Sequence, residues 1–97
     1  MKKRETIFKE KVLADLEKLP KTWAKKIQQV STKGTLDIFV CVNSNFVAIE
    51  LKTKDGKVEP LQRYEYEQIK KAGGYAYIAY PANWPEILIK LVVLANS

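Results

Sequence analysis

Apolar positions recur along this chain with two periods, and the switches between them mark the elements. Residues 5–19 place Phe8, Val12, Leu16 and Leu19 at helical spacing, with Leu13 widening the stripe, and Pro20 stops the run. Residues 22–30 alternate instead, which predicts an edge strand, and residues 31–34 form a loop. Thr35 to Val42 reads as a strand rich in β-branched and aromatic side chains. Asn43, Ser44 and Asn45 signal a tight turn, and residues 46–53 form the next strand. After the Asp55-Gly56 turn, Pro60 opens a helix that runs to about Ala72, where Gly73-Gly74 ends it. Tyr75 to Tyr80 predicts a fourth strand. Asn83, with Glu86 three residues on, predicts a capping box ahead of a last helix carrying Ile87, Leu88, Leu91, Val92 and Leu94.

The expected order is helix, three strands, helix, strand, helix. The short 43–45 connection makes its two strands antiparallel, and the helix before the fourth strand favours a parallel crossover. The expectation is an α/β fold with a mixed central sheet flanked by helices, in one domain spanning residues 1–97. So short a chain buries a small core, so dimerisation would add stability. No apolar run reaches membrane-span length, no apolar h-region follows the basic N-terminus, and a lone cysteine leaves a reducing cytosol as the expected compartment. Cys41 lies in an apolar run and reads as a small buried hydrophobe. The absence of His excludes the usual Cys/His zinc sites.

Charge is uneven. The net charge is +6; residues 1–34 carry ten Lys/Arg against four Asp/Glu, and residues 35–97 carry seven of each. All the excess is in the N-terminal third, which suits an anionic partner such as nucleic acid, or a solubilising surface.

The candidate chemistry is Asp37 on one strand with Glu50 and Lys52 on the next. Glu50 and Lys52 share a face, roughly 6–7 Å apart along the strand. A two-residue turn sets Asp37 opposite Glu50 or Lys52, whereas a regular three-residue turn puts it opposite Leu51, on the other face. Two close carboxylates and a lysine suit a metal-dependent phosphodiesterase. The rival is a plain ion pair in which Lys52 neutralises a carboxylate without metal. Helix geometry puts Glu5 on the apolar stripe, able to reach the same face, or simply favourable at a helix start, while Glu10, Asp15 and Glu17 read as solvated. Gln62, early in the second long helix, is placed to orient a water or phosphate. Lys33, Lys54, Lys57 and Arg63 flank the site as phosphate contacts or ordinary surface. Trp23, Trp84 and the tyrosines read as core and rim rather than as stacking platforms.

Gly34-Thr35-Leu36-Asp37-Ile38, Glu50-Leu51-Lys52 and the downstream Gln62, in that order, resemble the PD-(D/E)xK nuclease superfamily. Within it the chain looks most like stand-alone VRR-NUC domains of phages and bacteria, which are similar to archaeal-type Holliday junction resolvases. The resemblance covers roughly residues 5–80. It implies a restriction-endonuclease-like αβββαβ core with an extra C-terminal helix. It also implies Mg²⁺ or Mn²⁺ held by Asp37, Glu50, the Leu51 carbonyl and a helix-one Glu, matched by Glu5, with Lys52 at the nucleophilic water. Leu36 stands where the motif usually has Pro, a residue the chemistry does not require. The implied function is endonucleolytic cleavage of DNA, with branched DNA as the expected substrate, by a homodimer in the cytoplasm of a bacterium or phage-infected host. A flap-cutting or restriction-like nuclease, and a catalytically silent DNA-binding or protein-interaction module, are the alternatives.

Overall fold

The computed structural model describes residues 3–28 and 34–97. The order is α1 (Arg4–Glu17), β1 (Thr22–Lys26), β2 (Ile38–Val42), β3 (Asn45–Leu51), α2 (Pro60–Lys71), β4 (Tyr75–Ala79) and α3 (Trp84–Ala95). The four strands form one sheet in sequence order. β1–β2 and β2–β3 pair antiparallel, and β3–β4 pair parallel across the α2 crossover. The fold is therefore α/β, with a mixed sheet flanked by helices.

Asn43 and Ser44 make the β2–β3 turn, with φ of 49° and 71°. Two successive positive φ values give the primed turn whose twist matches a two-residue hairpin, and Asn tolerates that region well. Asn43 is also tied down from outside, because its Nδ2 donates to the Leu94 and Ser97 carbonyls at the end of α3. Val42 then faces Asn45, and Ile38 faces Ile49.

Strand alternation sorts the sheet into two faces. Ile38, Val40, Val42, Val47 and Ile49 are buried on the face covered by α1 and α3. Phe8, Val12 and Leu16 of α1 meet them there with Ile87 and Leu91 of α3. The opposite face is covered by α2 on its β3–β4 side, where Ala48 and Ala76 are buried. Cys41 lies on that second face, away from the core, and is exposed. An apolar run hides this parity, so the expectation of a buried Cys41 fails.

Several boundaries move. α1 ends at Glu17 rather than residue 19, because the Lys18 and Leu19 N–H groups turn back to the Asp15 and Leu16 carbonyls ahead of Pro20. Among the described residues β1 stops at Lys26, although the Ile27 N–H still donates to the Asp37 carbonyl at 2.7 Å. The rest of the predicted 22–30 strand and its loop lie partly outside the described residues. β2 starts at Ile38, three residues later than predicted, and β3 spans 45–51 rather than 46–53. The Asn83–Glu86 capping box does not form. Asn83 has αR dihedrals rather than the extended ones of a capping residue, and Pro85 removes a donor from the first turn. The Asn83 amide instead accepts from Tyr80 N–H and donates to the Ile78 carbonyl, closing the β4–α3 turn.

Asp15, expected to be solvated, is buried. Its Oδ2 accepts the Trp84 indole N–H at 2.8 Å, and Lys11 Nζ reaches the same carboxylate at 3.1 Å. Burial pushes this carboxyl upward, but the Trp84 bond and Lys11 more than offset that and leave it below its usual range. A depressed carboxyl stabilises the fold above its unfolded pKa, and the contribution fades as pH falls through the folded value. Asp15→Ala leaves a buried indole N–H without its acceptor, so it is expected to lower stability by about 1–3 kcal/mol in denaturant unfolding at pH 7. Adding Trp84→Phe to it is expected to cost less than the sum of the single changes; full additivity would show that the bond carries nothing.

Candidate metal centre

The two-residue turn sets the site. Ile38 faces Ile49, so one step further out, where the sheet ends, Asp37 comes opposite Glu50, with Gln62 of α2 on one side and the start of α1 on the other. This is the even-length turn that shared carboxylates require. Asp37 is held by the neighbouring strand: its Oδ2 accepts the Leu51 N–H at 2.9 Å.

Glu50 is only 2% exposed. Its Oε2 accepts from Gln62 Nε2 at 2.7 Å and lies 3.3 Å from Lys52 Nζ. Its Oε1 is buried with no hydrogen-bond partner. Burial, and then the adjacent Asp37 charge, push the Glu50 carboxyl up to about 7, against the pull of Lys52. The carboxylate that Lys52 pairs with is Glu50.

Gln62 does two things. Its Oε1 accepts the Glu59 N–H at 3.0 Å, bracing the start of α2, while its amide N–H reaches Glu50. Gly34 explains part of the spacing before Asp37. At φ 89° it packs so closely on the first turn of α2 that an added Cβ would lie 2.7 Å from the Leu61 carbonyl oxygen. Gly56 is likewise close to the Lys52 stem, where a Cβ would meet its carbons at 3.2–3.3 Å.

A cavity of about 310 Å³ opens over this group, lined by Asp37, Glu50, Leu51 and Lys52 with Glu5, Phe8 and Lys9 of α1. Glu5 thus reaches the site but stays exposed at its rim. Among the described residues no three His, Cys, Asp or Glu side chains gather into a metal-binding group. Lys9 was not singled out from the sequence, although it lies four residues after Glu5 on the same helix face. Lys54, Lys57 and Arg63 are exposed, with Arg63 over the Tyr66 ring at 5.0 Å. Lys33 lies outside the described residues.

The donors are hard oxygens, which suit Mg²⁺ or Mn²⁺ rather than a softer ion. Mg²⁺ keeps several waters and needs only one or two carboxylates, so Asp37 and Glu50, with the Leu51 carbonyl, are the groups in this cavity that would hold it. The orphaned Glu50 Oε1 is the atom such a cation would satisfy. No protein-family model matches this chain, nor does any curated protein or solved structure.

A carboxyl raised from 4.5 to about 7 stabilises the fold least when ionised. Its contribution is best below the unfolded value and is lost as pH rises through the folded one. Glu50→Gln is therefore expected to gain stability relative to the parent between pH 5 and pH 8, by on the order of 3 kcal/mol. Denaturant midpoints at the two pH values check this, and an equal difference at both would refute a strained Glu50 carboxylate.

Proposed function

We propose that the chain is a Mg²⁺-dependent endodeoxyribonuclease with the αβββαβ core of restriction-endonuclease-like enzymes, and with α3 appended. The observation that carries this reading is the orphaned Glu50 Oε1 beside Asp37 in an open cavity. Asp37, Glu50 and the Leu51 carbonyl would hold the cation, with Glu5 at the rim. A bound divalent cation supplies a Lewis acid for the phosphoryl oxygen and lowers the pKa of a water. Around it, Gln62 fixes the Glu50 rotamer from the side of α2. The Lys52 ammonium, largely buried on Glu50, offers positive charge to an attacking hydroxide or a phosphate oxygen. Lys9 at the rim, and exposed Lys54, Lys57 and Arg63, supply phosphate contacts.

DNA is the proposed substrate, with branched or four-way junctions ahead of flaps and plain duplex. The expected homodimer belongs to the same reading. Exposed Ile89 and Val93 on α3, lining one groove with Tyr75 of β4, support it. The proposed setting, the cytoplasm of a bacterium or phage-infected host, is a further part of this reading. No helix among the described residues is long and apolar enough to cross a membrane.

A second reading has the more direct support from the residues as they stand. In a catalytically silent DNA-binding or protein-interaction module, Lys52 and Gln62 already satisfy one oxygen of Glu50. The missing three-acid group among the described residues favours it. Calorimetric titration with Mg²⁺ separates the two. The nuclease reading expects binding by the parent and none by Asp37→Ala, with junction DNA cleaved and Lys52→Ala slower by at least about 10²-fold. Loss of cleavage with folding and Mg²⁺ binding intact places Lys52 in the chemistry. Mg²⁺ heats that do not depend on Asp37 leave the silent module, and equal rates on duplex and junction remove the branched-substrate preference.

A further inference from the structure

The sheet face that carries the carboxylates continues beyond α2 as an aromatic surface. Trp23, Cys41 and Phe46 are directly opposed on β1, β2 and β3, and all three are exposed, Trp23 at 61% and Phe46 at 43%. The next row along the strands is Lys25, Phe39 and Ala48. Phe39 and Phe46 meet edge to face, with ring centroids 5.3 Å apart. The row after that contains the Asp37–Glu50 pair. Glu50 is therefore two residues along β3 from the Lys25–Phe39 row and four from the Trp23–Phe46 row, roughly 7 Å and 13 Å.

Soluble domains rarely leave a tryptophan and a phenylalanine side by side on an open sheet face without a partner. The charge on this face says which partner fits. Lys26, opposite Ile38, belongs to the other face; on this one Lys25 is opposite Phe39 and Lys21 stands two residues before Trp23, while the acids, Asp37 and Glu50, come only at its far end. A second copy would set these lysines against their own kind, whereas a polyanion is attracted. Aromatic side chains on a sheet stack unpaired bases, which a closed duplex does not offer, and flanking lysines follow the backbone.

We infer that Trp23, Phe39 and Phe46, with Lys25, form a stacking platform for a single-stranded stretch of nucleic acid that leads along the sheet to the Asp37–Glu50 cavity. This extends the DNA partner of the proposed function but does not depend on cleavage. It holds for the silent module as well as for the nuclease.

The two tryptophans make the test direct, because Trp84 is buried at 3% exposure against Asp15 and only Trp23 can be stacked upon. The whole chain is titrated in EDTA with an oligothymidylate of about a dozen nucleotides while Trp fluorescence is followed. Quenching is expected, and Trp23→Ala and Phe46→Ala should each weaken binding about ten-fold or more, measured by anisotropy of a labelled strand. Lys25→Glu should weaken it and flatten its salt dependence. Because the titration is run in EDTA, binding needs no metal, which keeps this result separate from the fate of the metal site. Unchanged affinity in both aromatic variants overturns the platform, as does equal affinity for a duplex of the same length. A parent that sediments as a dimer, and a Trp23→Ala variant that sediments as a monomer, would give the face to a second copy and also overturn it.

Discussion

Everything at the candidate site follows from the register of one hairpin. Strand side chains alternate with period two, so a slip of a single residue between β2 and β3 would send Asp37 and Glu50 to opposite faces. The same slip would carry Ile38, Val40 and Val42 out of the core. The core and the carboxylate pair are therefore specified together, by Asn43 and Ser44 held at positive φ. The turn is in turn anchored by the Asn43 amide on the last carbonyls of α3. The C-terminal helix, which supplies no candidate ligand, nonetheless helps set where the carboxylates face.

The register brings the charges together, and burial makes the pairing strained. Two adjacent carboxylates, one of them almost fully buried, are unfavourable when both are ionised. Lys52 and Gln62 relieve one oxygen of Glu50 and leave the other without a donor beside the Asp37 carboxylate. Contrast Asp15, equally unexpected inside the protein. There an indole N–H and a lysine take up the carboxylate, and its pKa falls instead of rising. One buried acid is satisfied by the fold, while the other is left half satisfied at the mouth of a cavity. This asymmetry distinguishes a structural carboxylate from a candidate functional one.

The strands, helices and site trio were legible because they rest on local information: period, turn chemistry and parity. Asp37, Glu50 and Lys52 could be placed on one face, conditional on a two-residue turn, and Gln62 could be put beside them. What stayed hidden depended on partners distant in sequence. Asp15 looks like a solvated helix position until Trp84, 69 residues away, is known to reach it. Cys41 looks buried because its strand is apolar on both faces, and only the placement of α2 over β3 and β4 shows which face is covered. Asn83 looks like a helix cap until its amide is found closing the turn from β4.

The same limit applies to the aromatics. Tryptophan and phenylalanine read as core by composition, and Trp84 at the start of α3 obeys. Trp23 and Phe46 do not, because α2 crosses only half of the sheet face on which they lie. That half-coverage links the two unusual features of the molecule. Where α2 begins, its Gln62 roofs Glu50; where the sheet runs on beyond it, an apolar and basic surface is left open in register with the same carboxylates. A helix that covered the whole face would bury the aromatics and close the approach along the sheet to the carboxylates. The short α2 crossover thus leaves both the cavity and its approach in place.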